Sequence, residues 1–190
     1  MGASLIELKN ASHGPQSSLQ GLNRQLLQLI GEPFQFTRVS YGDELTLHFG
    51  DLRPAKNPKL KGKPYGAYVL GVRGSSWFLK SGREAVMVAA EPDQAGQPLS
   101  KEELESGKFL VAGSRVLRAE AFPIGLTEGL GLRIRFSDGS ALVIHPAAVG
   151  ADDETDGTSD DQELPEIADW ELSTPNGHLS AGPGQSWSFA

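Results

Sequence analysis

The pattern of residues 31–51 recurs, in the same order, in residues 113–138. The first stretch has Gly31, Phe34, Phe36 and Val39, then Leu45-Thr46-Leu47-His48-Phe49-Gly50-Asp51. The second has Gly113, Val116, Arg118 and Phe122, then Leu132-Arg133-Ile134-Arg135-Phe136-Ser137-Asp138. A tryptophan segment follows each one: Trp77-Phe78-Leu79 in the first half and Trp170-Glu171-Leu172 in the second. Repetition at this spacing constrains architecture more than any single motif does, because each half must solve the same burial problem. It names no chemistry.

Most of the chain reads with a period of two. In Leu45–Phe49 and in Leu132–Phe136 the apolar residues alternate with polar ones, as in half-buried antiparallel strands. Further strand patterns are Phe34–Val39, Ala67–Val72, Ser76–Lys80, Ala85–Ala90, Arg115–Ala121, Ala141–His145, Asp169–Ser173, His178–Ala181 and Trp187–Phe189. Asp138-Gly139 supplies the positive φ of a tight hairpin. One helix stands out: Leu19, Leu22, Leu26, Leu29 and Ile30 form one stripe, with Ser17 or Ser18 as cap and Gly31 as the stop before Pro33. Ser100-Lys101-Glu102-Glu103 is a capping box for a second, very short helix.

The expected fold class is therefore mainly β (α+β): two pseudo-repeated antiparallel β units with one N-terminal amphipathic helix. The expected division is a flexible arm over 1–16, the helix plus first β unit over 17–90, a linker with a short helix over 91–107, and the second β unit over 108–190. A chain of 190 residues buries roughly 70% of its unfolded surface and needs no covalent staple.

Composition removes several function classes. With no cysteine there is no disulfide, thiolate metal site or cysteine nucleophile, which suits a reducing, cytoplasmic setting. The first residues show no secretory signal, and no apolar run has the length of a membrane span. A net charge of −7 opposes broad binding to nucleic acid or anionic membrane.

Charge is also unevenly placed. Arg53, Lys56, Lys59, Lys61 and Lys63 crowd residues 52–64 without an acid. The matching place in the second half, residues 152–163, is acidic and has the spacing of a calcium loop, with acids at loop positions 1, 3, 5, 9 and 12 and Gly157 at position 6. Glu154 at position 3, Ser159 at position 8 and the prolines Pro146 and Pro165 at the flanks depart from that motif. Two loops of opposite sign can steer one molecule, or two copies in a homodimer, towards each other. Trp187, near the last residue, either seals a sheet or sits at an interface.

Catalytic constellations are hard to find. The histidines His13, His48, His145 and His178 are scattered, and alternation predicts His48 and His145 on a solvent or groove face. No G-x-S-x-G, Walker or G-x-G-x-x-G motif is present. Asp51 and Asp138 occupy matching positions and could pair with a histidine in a cleft between the units. The expectation is a non-enzymatic interaction or regulatory protein of the immunity type, with no cofactor and no catalytic or metal residues. Its partner is expected to be a protein, bound through Arg53, Lys56, Lys59, Lys61, Lys63 and Trp187. An enzyme or small-molecule binder using the cleft, and a calcium-responsive module using 152–163, are the alternatives.

Leu45–Asp51, the run Tyr65-Gly66-Ala67-Tyr68-Val69-Leu70-Gly71-Val72-Arg73, Trp77 and Leu132–Gly139 together resemble a family of small uncharacterised bacterial β-rich proteins. That family has a G-x-Y-x-L-x-V strand leading to a tryptophan, and a later F-x-D-G hairpin. Asp169-Trp170-Glu171-Leu172 is similar as well, and the likeness covers residues 30–80 and 115–175. Ser76 stands before Trp77 where the family has cysteine. The resemblance implies a fold and carries no assigned activity.

Overall fold

The computed structural model describes residues 18–39, 45–54, 62–72, 75–81, 84–88, 110–125, 129–146, 168–182 and 185–190. Among them are one α-helix, α1 (Leu19–Leu26), with a 3₁₀ turn over Leu27–Leu29, and eleven strands. These are β1 (Phe34–Val39), β2 (Leu45–Pro54), β3 (Pro64–Val72), β4 (Ser76–Ser81), β5 (Glu84–Val88), β6 (Val116–Ile124), β7 (Gly129–Phe136), β8 (Ala141–His145), β9 (Trp170–Thr174), β10 (Gly177–Ala181) and β11 (Trp187–Phe189). The arm over 1–16, the linker over 91–107 and the acidic loop over 152–163 lie outside the described residues.

All pairings are antiparallel, in two sheets. One has the order β1-β2-β3-β9-β10-β11, the other β5-β4-β8-β7-β6. Each half of the chain lays down a three-stranded meander, β1–β3 or β6–β8. The hairpin that follows it, β4–β5 or β9–β10, joins the sheet of the other meander. The registers also correspond. Leu45, Val72 and Trp170 line up across β2, β3 and β9, as Leu132, Ile144 and Trp77 do across β7, β8 and β4.

The space between the sheets is one hydrophobic core, drawn from both halves. Period-two alternation decides which residues enter it: Leu45, Leu47 and Phe49 from β2, and Leu132, Ile134 and Phe136 from β7. Phe34, Phe49 and Phe136 meet at one end, with ring centroids 5.9–6.3 Å apart. The tryptophans sit where strand alternation places core anchors. Trp170 and Trp187 flank Ala181 in adjacent strands, so two indoles share one row with a small residue between them. The Trp170 indole N–H donates across the core to the Leu130 carbonyl of the opposite sheet at 2.7 Å. At the phenylalanine end the main chain also joins the sheets, through the Pro33–Arg115 bridge and bonds from Gly31 and Phe34 to Val116 and Ser114.

The helix begins as its sequence requires, with Ser18 Oγ accepting from the Gly21 amide at 3.3 Å. Leu22, Leu26 and Leu29 are fully buried. Ile30, expected in the same stripe, is 40% exposed, because the helix tightens into a 3₁₀ turn and advances its last residues around the axis. The helix protects a sheet edge. Asn23 Oδ1 accepts from the Ala121 amide at 2.7 Å and its Nδ2 donates to the Ala121 carbonyl at 3.2 Å. One side-chain amide thus supplies, at Ala121, the two bonds that a further strand would have given that residue of edge strand β6. Asn23→Ala leaves both groups unpaired. It is expected to lower stability by about 1–3 kcal/mol in urea unfolding and to speed hydrogen exchange at Ala121.

Candidate functional site

The histidine expected on an open face is not open. His48 does alternate with Leu47 and Phe49, but its side chain is fully buried. Neighbouring strands cover it: the Phe36 ring of β1 stacks on it at 4.3 Å, and the Tyr65 ring of β3 meets it edge-on at 5.0 Å. The Arg38 guanidinium lies 4.8 Å from the Phe36 ring and 5.0 Å from the Tyr65 ring, and donates to the Pro64 carbonyl. His48 Nδ1 accepts from the Gly66 amide at 3.2 Å, while Nε2 is buried without a partner. Burial first, and then Arg38, pull its pKa from 6.5 down to about 4. A side chain at Gly66 would run into the Phe49 backbone at 2.5–2.6 Å, so glycine is what lets β3 approach β2 here.

The two matched aspartates do different local work. Asp51 is exposed and follows Gly50, whose φ of +73° starts a bulge that shifts the β2–β3 register between Phe49 and Leu52. Asp138 anchors a turn. Its Oδ1 accepts from the Ser140 amide and hydroxyl, and its Oδ2 from the Ser114 hydroxyl at 2.9 Å and the Val111 amide at 3.4 Å. Burial alone would raise its pKa. The hydrogen bonds from Ser140, Ser114 and Val111 outweigh that and hold it below the usual carboxylate value.

Beyond the bulge, β2 and β3 continue as an exposed two-stranded finger carrying Leu52, Arg53, Pro54, Lys63 and Pro64. Arg53 and Lys63 are thus on the surface, as a partner contact needs. Lys56, Lys59 and Lys61 lie outside the described residues. Trp187 is 3% exposed and belongs to the core, which takes its indole away from any surface contact.

A groove on the outer face of the five-stranded sheet gathers four cations. Where Leu132, Ile134 and Phe136 point inward, Arg133 and Arg135 point outward. Register adds Arg118 from β6 beside Arg135, and Lys80 from β4 across Ala141. These four cations, with Leu117, Ala141 and Val143, line a groove of about 660 Å³. Leu117 is 61% exposed and gives the rim an apolar contact. Glu120 is the carboxylate on this face among the described residues, reaching Arg118 at 2.5 Å and Arg133 at 3.5 Å. At the far end, His145 sits between Phe78 and Phe122, and Arg133 also lies 5.2 Å from the Phe122 ring. Burial and then Arg133 lower the His145 pKa, so this imidazole stays neutral near neutral pH.

The outer face of the six-stranded sheet has a different character. Gly71 leaves a hollow of about 190 Å³ between Thr46, Val69, Glu171 and Ser173. Beside it, Ser173 Oγ and His178 Nδ1 are 3.1 Å apart, and His178 Nε2 is 3.7 Å from Glu171. The trio is legible in the sequence around the Pro175-Asn176-Gly177 turn, which fixes His178 opposite Ser173, itself two residues beyond Glu171. Serine, imidazole and carboxylate in a row are the parts of an acyl-transfer relay. However, β9 is a central strand whose amides face the β3 and β10 ladders, so it offers no donor pair for an oxyanion.

Among the described residues, no group of three or more histidine or acidic residues is arranged to hold a metal, and no helix is long and apolar enough to cross a membrane. No family model, curated protein or solved structure matches the chain.

Proposed function

We propose that this chain is a non-enzymatic interaction protein that binds an acidic protein partner on the outer face of its five-stranded sheet. One observation carries this: among the described residues, four cations against a single carboxylate share a groove with exposed leucine, in a chain whose net charge is −7. A local basic groove on an acidic protein selects a partner with a compact acidic patch. A long polyanion such as nucleic acid would meet the repulsion of the whole chain. The apolar rim at Leu117 and Val143 adds desolvated contact, which a protein surface can match. Arg53 and Lys63 on the β2–β3 finger are secondary contacts in this proposal. A regulatory role and a cytoplasmic location belong to it too.

The corresponding strand orders and registers of the two halves support an internal repeat as the origin of the fold. The repeat then gives two sheets of one design, and the groove of four cations described above lies on one of them.

The test is capture from host lysate on immobilised wild type, on Arg133→Glu/Arg135→Glu, and on Arg24→Gln as control. The expected result is one stoichiometric acidic protein, held by wild type and the control and lost from the double variant. Retention by the double variant at full occupancy contradicts the proposal.

A further inference from the structure

The cations of the groove are not equivalent. Glu120 already answers Arg118 and Arg133. Lys80 and Arg135 have no carboxylate partner among the described residues, and both pair in register with Ala141 from opposite sides. Strands lie about 4.8 Å apart, so the two Cα atoms stand roughly 10 Å apart with one methyl group between them. Both long side chains line the groove above that methyl, next to Gly139 and Ser140 of the tight turn.

Resting on the partner surface proposed above, we infer that Lys80 and Arg135 form a seat over Ala141 for one doubly charged oxyanion, a phosphate monoester carried by the partner. Two unopposed unit charges match a dianion. A lone carboxylate balances one of them and leaves the other unanswered. Arginine offers a planar fork and lysine a point charge, a pairing suited to a tetrahedral group with three free oxygens. The titratable and charged groups around the seat are Lys80 of β4, Arg118 and Glu120 of β6, Arg133 and Arg135 of β7, Asp138 of the turn and His145 of β8. Burial and then Arg133 lower the His145 pKa from 6.5, and the hydrogen bonds on Asp138 outweigh its burial and hold it below the usual carboxylate value, so both move away from the range between pH 6 and 8. A rise in binding across that range is therefore assigned to the second ionisation of the phosphate, near pH 6 for an ester.

The experiment titrates the ¹⁵N-labelled full chain with inorganic phosphate, and separately with acetate, at constant ionic strength. Phosphate is expected to shift the amides of Arg135 and residues 139–143, and to bind several-fold more tightly at pH 8 than at pH 6. Lys80→Gln or Arg135→Gln is expected to weaken it by about tenfold, with Arg24→Gln unchanged. An equal response to acetate, or phosphate shifts centred on Arg118 and Glu120, overturns the seat. If the partner is still captured while phosphate binds nowhere on this face, the seat is wrong and the partner surface stands. If phosphate binds at the seat while the double charge reversal still holds the partner, the seat stands and the partner surface is wrong.

Discussion

Trp170→Ala is expected to lower the unfolding free energy by about 5 kcal/mol. The indole is fully buried and its N–H crosses the core to Leu130. Removing it leaves a cavity and strands a carbonyl. Trp77 is nearly as buried, at 5% exposed, and holds the corresponding register position in the other sheet. Among the described residues its indole makes no hydrogen bond across the core to the other sheet, so Trp77→Ala should cost about 1 kcal/mol less. Trp170→Phe isolates the hydrogen bond from most of the volume and should fall between wild type and Trp170→Ala. Urea unfolding with unchanged m-values would measure all three. Equal losses for Trp77→Ala and Trp170→Ala would show that the Trp170–Leu130 bond adds nothing net.

The second large effect is a pair of opposed titrations. His48 refuses a proton in the fold until about pH 4, whereas the unfolded chain takes one near 6.5. Stability from this group is complete above 6.5 and falls by about 3 kcal/mol as the pH drops towards 4. Asp169 does the reverse. Burial raises its pKa from 3.8 to about 6, and its Oδ2 is buried without a partner. Its contribution is complete below 3.8 and falls by about 3 kcal/mol as the pH rises through 6. Between pH 4 and 6 the two slopes cancel, so wild type should have nearly flat stability from these groups. His48→Gln should become more stable on acidification over that window, and Asp169→Asn less stable. Denaturant midpoints measured at half-unit pH steps would show the crossing. Parallel profiles for the two variants would contradict both assignments.

What the sequence made legible was local. Alternation placed Leu132, Ile134 and Phe136 inward, Asp138-Gly139 gave the turn, and Ser18 gave the helix cap. Alternation assigns a residue to a face, but it does not say what covers that face. His48 was therefore misplaced: Phe36 and Tyr65, which bury it, come from strands that each pair with β2 across a register shift, between Phe34 and Phe36 in β1 and between Phe49 and Leu52 in β2. Charge was read as runs along the chain, which drew attention to residues 52–64. The basic groove instead gathers Lys80, Arg118, Arg133 and Arg135 from three strands, two of which meet only through β8. Its one local trace was Arg133-Ile134-Arg135, a strand with a basic outer face.

The binding surface is tested most directly by hydrogen exchange of the purified complex of this chain with its captured partner. Slowed exchange is expected in β4, β6, β7 and β8, centred on residues 133–143, with β9–β11 unchanged. Protection confined to the six-stranded sheet, or to the β2–β3 finger alone, would contradict a partner surface on the five-stranded sheet.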